Sequence, residues 1–206
     1  MIGVDAKFSD LVGVAEIAAG YPFRGSVDAL PAGSTSVVQL RNVSFDHGVD
    51  WSGLVEVSLP RPARHSLLQV GDVILSTRGS NNFAHCLAEV HGDVVCSPHF
   101  FVIRISVGTL LPEFLAWQIN QQPAQDYFAA GATGSHILNL KRQVVEDLPI
   151  AIPSLLEQQR IIDLDAAART ERSLLGRLIE NRSTEMSGIA QQLLRPAFQR
   201  PTKRAS

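Results

Sequence analysis

Two hydrophobic periodicities divide the chain. Through the first 110 residues the apolar positions come in short runs rich in β-branched and aromatic side chains: SVVQL (36–40), LVEV (54–57), DVILST (72–77), CLAEV (86–90), DVVC (93–96) and FFVIRI (100–105). Gly, Pro, Asn and Asp punctuate these runs, as at His91, Gly92 and Asp93, which is the pattern of strands joined by turns. One early helix is expected over roughly residues 8–18, stopping at Gly20. At Pro112 the period lengthens: PEFLAWQINQQ opens with Pro at a first helical position and puts Leu115 and Ile119 on one face. Pro123 restarts a second short helix that ends before Gly131, the Gly-rich GATGSHILNL (131–140) reads as a loop, and LPIAI (148–152) returns to strand. The first 152 residues therefore predict a strand-rich α+β domain with a few short helices.

The segment after Pro153 differs in kind. Ser154 and Glu157 form a capping box ahead of an apolar-periodic run that Pro196 is expected to stop. At 1.5 Å per residue such a helix is a rod about 60 Å long. Its apolar positions recur every eleven residues: Leu164, Leu175 and Met186; Ala167, Leu178 and Ile189; Ala168, Ile179 and Ala190. Eleven residues over three turns keep these positions on one face with little supercoiling, while Arg169, Arg177 and Glu180 fall on the other side. A head of 100–150 residues cannot cover that whole stripe, so a partner helix is expected to cover its outer half, with Leu164, Ala168, Leu175, Leu178, Ile179, Met186 and Ile189 as the interface. The expected organisation is a head over 1–152, a pairing and spacing helix over 153–196, and a flexible tail over 197–206.

Composition refines this picture. At 206 residues, 45% hydrophobic and 18% charged, the chain has the material for one cored domain plus an appendage. The net charge of −2 conceals an asymmetry: residues 1–150 carry nine Lys/Arg against fourteen Asp/Glu, and residues 151–206 carry nine against six. Any nucleic-acid contact by the acidic head must come from local clusters of cations. No run approaches the roughly 18 apolar residues that span a bilayer, and MIGVDAKFSD has no signal-peptide pattern. With only two cysteines, a reducing, cytoplasmic setting and no membrane partner are expected.

Motif chemistry is mostly exclusion. The chain has no phosphate loop, dinucleotide fingerprint, nucleophile elbow or H-E-x-x-H, and no methyltransferase cofactor turn, so neither catalytic residues nor a cofactor are expected. Cys86, His91, Cys96 and His99 are metal-competent but lack knuckle spacing, and both cysteines sit in apolar strands where a thiol acts as a small hydrophobe; no metal is expected. Glu146 and Asp147 are adjacent and read as a solvated turn rather than as an acid/base pair. Two polar loops remain, STRGSNNFAH (76–85) and ATGSHILNLKR (132–142). Their Arg and Asn suit base edges, and their Ser, Thr and Gly suit phosphates, although ordinary surface turns have the same composition.

Several stretches, in order, resemble the specificity subunits of type I restriction-modification systems. GYPFRGSVDALPAGSTSVVQLRNV (20–43) is similar to the opening of a target recognition domain, and GDVILSTRGS (71–80) to its strand and Arg-Gly turn. VVCSPHFFVIRI (94–105) and LPEFLAWQIN (111–120) match the next strand and helix. GATGSHILNLKRQVVEDLPIAIPSLLEQQRI (131–161) matches the closing loop, the Leu-Pro-Ile strand and the Gln-Gln start of the long helix. The resemblance implies a non-catalytic reader of double-stranded DNA whose helix spaces recognition domains and docks methyltransferase subunits, with motor (restriction) subunits as a further partner class. It places Arg24, Arg41, Arg78, Ser80, Asn81, Thr133, Ser135, His136 and Lys141 toward DNA. The family carries two recognition domains and two helical regions in a chain about twice as long. One of each here implies a homodimer with antiparallel arms and a palindromic, bipartite target. Two other readings stay open: an interaction-only protein that caps or sequesters restriction-modification subunits, and the recognition half of an enzyme whose catalytic half is a separate chain.

Overall fold

The structure, a computed structural model, describes residues 5–27, 31–59, 66–79, 82–131 and 138–198. Its strands are β1 (Lys7–Asp10), β2 (Ala15–Ala19), β3 (Thr35–Val38), β4 (Val43–Ser44), β5 (Gly48–Val49), β6 (Val55–Val57), β7 (Val73–Ser76), β8 (Arg78–Gly79), β9 (Ala84–Cys86), β10 (Asp93–Cys96), β11 (Phe100–Ile105), β12 (Leu138–Asn139) and β13 (Pro149–Ile152). Its helices are α1 (Pro112–Ile119), α2 (Gln122–Gly131), α3 (Arg142–Glu146) and α4 (Leu155–Phe198). The fold is α+β, as the pattern predicts. It divides into two compact units, Met1–Asp163 and Leu164–Ser206.

An antiparallel sheet, β2-β11-β7-β9, forms the centre of the first unit, and a second sheet, β10-β3-β6, packs on it with β3 and β10 parallel. β11 explains why these strands read as unbroken apolar runs. Phe101 and Ile103 enter a core with Phe114, Leu115, Ile119 and Phe128 of α1 and α2. Phe100 and Val102, on the alternate face, enter another core with Val38, Val94 and Leu87. Both faces are covered, so both sets of alternating positions are hydrophobic. The bidentate pair from Arg104 Nε and Nη2 to Asp72 Oδ1 and Oδ2 (2.8 and 2.7 Å) pins the start of β7 to the end of β11. Burial leaves Asp72 1% exposed, and the same pairing raises the Arg104 pKa.

Three expectations need correction. The helix over residues 8–18 is absent: β1, a 3-10 turn (Leu11–Gly13) and β2 occupy that stretch. Phe8, Leu11 and Ala15 have helical spacing, but β1 pairs with β13 and β2 with β11, and these long-range ladders override the local pattern. CLAEV is a strand only at its first residue, because β9 covers Ala84–Cys86 and pairs there with β7. The long helix runs past Pro196 to Phe198. The capping box forms as expected: Glu157 N donates to Ser154 Oγ (3.3 Å), and Ser154 N and Oγ donate to Glu157 Oε2 (3.1 and 2.7 Å). Among the described residues no helix is long and apolar enough to cross a membrane.

Candidate nucleic-acid interface

Strand direction decides which loops meet. β3 and β10 are parallel and end together. The chain turns through 97–99 into β11, which starts at that end, and β2 and β7 run antiparallel to β11, so they finish there too. Backbone hydrogen bonds tie the segments leaving this end to the 97–99 turn and its flanks. Gly20 N donates to Phe100 O (2.9 Å), Tyr21 N to Cys96 O (2.8 Å), Ser97 N to Val38 O (2.9 Å) and Thr77 N to His99 O (2.8 Å). Leu140 N then donates to Thr77 O (3.2 Å), next to the β8–β12 pairing that sets Arg78 opposite Asn139. Gly20 fits because a Cβ there would overlap the Ser97 carbonyl.

Five segments from distant parts of the sequence thus share one rim. They deliver Arg24, Arg41, Arg78 and Lys141, all exposed. Arg24 follows the Tyr21–Phe23 ring pair (centroids 4.9 Å apart) and precedes Gly25, whose φ of +94° reverses the chain. Arg41 lies in a 3-10 turn (Leu40–Asn42) held by Asn42, which accepts from Gln39 N (3.1 Å) and donates to Gly53 O (2.9 Å). Asn82 anchors the base of the Arg78 loop by donating to Ser76 O (2.8 Å), while Phe83 N donates to Ser76 Oγ (2.9 Å). Ser80, Asn81, Thr133, Ser135 and His136 lie outside the described residues.

The net negative charge of the head is not spread evenly along the strands. Glu16, Asp72 and Asp93 sit at or near the starts of β2, β7 and β10, the end opposite the cations. Asp50, beyond the 3-10 turn, accepts from Ser52 N and Oγ (3.1 and 2.7 Å), bonds that hold its carboxyl below the usual range.

Two further features of the rim were missed in the sequence. The 97–99 turn on which it hangs has a buried Ser97 hydroxyl with no hydrogen-bond partner among the described residues. The β4–β5 hairpin, whose tip carries the exposed Phe45 and turns on Gly48 (φ +68°), rests on the His85 ring. The adjacent Phe45 and Asp46 read only as loop, and His47, which donates its N–H to Ser44 Oγ (3.0 Å), gives no stronger signal.

The candidate metal ligands do not form a site: among the described residues no three His, Cys, Asp or Glu side chains cluster to hold an ion. Cys96 is buried on β10 and Cys86 half-buried on β9, and burial pushes both thiols up to about 12. On α4, Leu164, Leu175, Leu178, Ile179, Met186 and Ile189 are exposed, and Ala168 is half-buried.

No protein-family model and no curated protein sequence matches the chain. Solved structures do. The S subunit of a type I restriction-modification system from M. genitalium superposes with a TM-score of 0.58 at 14% identity, over 94% of this chain and 47% of its own. The HsdS subunit from Thermoanaerobacter tengcongensis gives 0.59 at 18% identity, over 98% of this chain and 51% of its own. The chain has the fold of a type I specificity subunit. A third match, from a structure addressing complex assembly and conformational transition of the type I restriction-modification system, gives 0.61 at 16% identity over 94% of this chain and 45% of its own. The chain spans about half the length of the specificity-subunit structures it matches.

Proposed function

We propose that this chain is the DNA-sequence-recognition subunit of a type I restriction-modification system, acting as a homodimer without catalysis of its own. The observation that carries this reading is the convergence of Arg24, Arg41, Arg78 and Lys141 on one rim of the strands. Cations on loops held by a rigid sheet position phosphates and reach base edges. The shared fold supports methyltransferase subunits as partners, with motor subunits joining a restricting complex.

The arithmetic of α4 supports homodimerisation. Reading the helix backwards about the bond between Gly176 and Arg177 exchanges its two main apolar rows: Leu164 falls on Ile189, Ala167 on Met186 and Leu175 on Leu178. Leu174 likewise falls on Ile179, and Glu171 on Arg182. An antiparallel twofold pair sets each residue against its reversed counterpart, so these apolar rows meet each other and Glu171 meets Arg182. Two identical heads then read a palindromic, bipartite site.

The test is methylation by a purified complex of this chain with methyltransferase subunits on a library of sequences. A single palindromic bipartite motif is expected, and a complex indifferent to sequence ends the base-reading role. The acidic head favours a second reading, an interaction-only protein that caps restriction-modification subunits. Arg78→Ala separates the two: a reader loses DNA specificity and keeps its partners, whereas a capping protein is unchanged in both.

A further inference from the structure

Beside the first turns of α4 the head carries an apolar cleft of about 510 Å³, lined by Phe8, Trp117, Tyr127, Leu148, Pro153 and Ile161. Phe8 leaves 77% of its surface exposed there, on the strand pair β1–β13, where it stands opposite Ala151. At the far end of α4, Leu193, Leu194 and Phe198 are 71%, 53% and 83% exposed. Among the described residues, the aromatic-lined cleft and the aromatic helix tip are both left open to water.

We propose that the cleft seats the α4 tip of a second copy of this chain. The inference rests on the antiparallel homodimer above and deepens it, because the register of that pairing dictates where the tip arrives. α4 begins at Leu155 and ends at Phe198, and these two residues also exchange on reversal about the Gly176–Arg177 bond. The two helices therefore overlap along their whole length, and each tip comes level with the other copy's Leu155, two residues beyond Pro153 of the cleft wall. The flank agrees as well. Leu194 follows Ile161 by three eleven-residue steps, so both lie on one side of the helix, and Phe198 follows one turn later. A dyad perpendicular to the plane of the two helices keeps that side common to both copies. Leu194 and Phe198 of one copy thus reach the flank on which Ile161 of the other lines the cleft. Charge matches too: Asp147, whose main-chain carbonyl accepts from the Tyr127 hydroxyl of the cleft wall (3.1 Å), and Asp10, which ends β1, are acidic, while Arg195 precedes the tip and Arg200, Lys203 and Arg204 follow it in sequence.

Two double variants of the full chain test this: Phe8→Cys with Phe198→Cys across the cleft, and Leu175→Cys with Leu178→Cys across the seam. Each is treated with a short bis-maleimide at pH 8, where the native thiols stay protonated. The expected result is a covalent dimer from both, and also from a mixture of the two single cleft variants. If the seam pair cross-links and the cleft pair does not, the dimer stands and the seating of the tip is overturned. A cleft cross-link formed only within one chain, seen as a fast-migrating monomer band, overturns it equally. If neither pair yields dimer, the homodimer fails and takes the cleft with it. Independently, Phe198→Asp should weaken self-association on the order of tenfold while leaving the seam cross-link obtainable; an unchanged dissociation constant counts against the proposal.

Discussion

Three amide side chains hold the head together by imitating backbone. Gln118 accepts from Ala151 N (2.7 Å) and donates to Ala151 O (3.1 Å), pairing with β13 as a neighbouring strand residue does. Asn120 does the same to Ala84 of β9 (2.8 Å both ways). Gln158, fully buried, accepts from Leu111 N and donates to Thr109 O and Pro153 O, each at 2.8 Å, tying the first turn of α4 to the approach to α1. Gln158→Ala strands a donor and two acceptors and should cost about 2–4 kcal/mol in urea denaturation followed by tryptophan fluorescence. None of this is visible in sequence, since all but one of the partners are main-chain atoms 33 to 49 residues away and nothing about a lone Gln announces them. The cysteines offer a second check. Their thiol pKa values, pushed up to about 12 by burial, predict negligible reaction with a disulfide reagent at pH 8 in the native state and reaction of both on unfolding. A folded pKa above that of the unfolded chain means this contribution to stability is whole below about pH 9 and is lost as pH rises toward 12.

Elements were legible where burial was symmetrical or the period long. β7, β10 and β11 stand out because their alternating faces enter cores, and α4 because its stripe repeats over many turns. The beginning of the chain was not, because a helical spacing of Phe8, Leu11 and Ala15 arises by chance in a stretch whose strand partners, β11 and β13, come more than 80 residues later. Of the candidate site, the four cations were legible as residue types, whereas their assembly on one rim depends on strand direction, which no local pattern encodes. For α4, Leu175→Glu with Leu178→Glu places four carboxylates at the centre of the antiparallel seam. Sedimentation should then show monomers whose head melts as before, since both positions are exposed.

If two heads pair as proposed, charge placement matters more for DNA binding than net charge. Four cations per head give eight per dimer, and if all meet phosphates the log–log salt slope of binding approaches about −7. Arg78→Ala, present twice, should flatten it by about 2, measured by anisotropy titration across salt concentrations.

The 97–99 turn is tied to the segments around it through main-chain N–H and C=O groups, while the Asn42, Ser76 and Asn82 side chains brace the flanking loops. Side chains that project from this framework can change without removing those main-chain bonds. On the proposed reading, grafting foreign sequence into 80–81 and 132–137 should redirect methylation to a new motif: an architecture kept while its vocabulary changes.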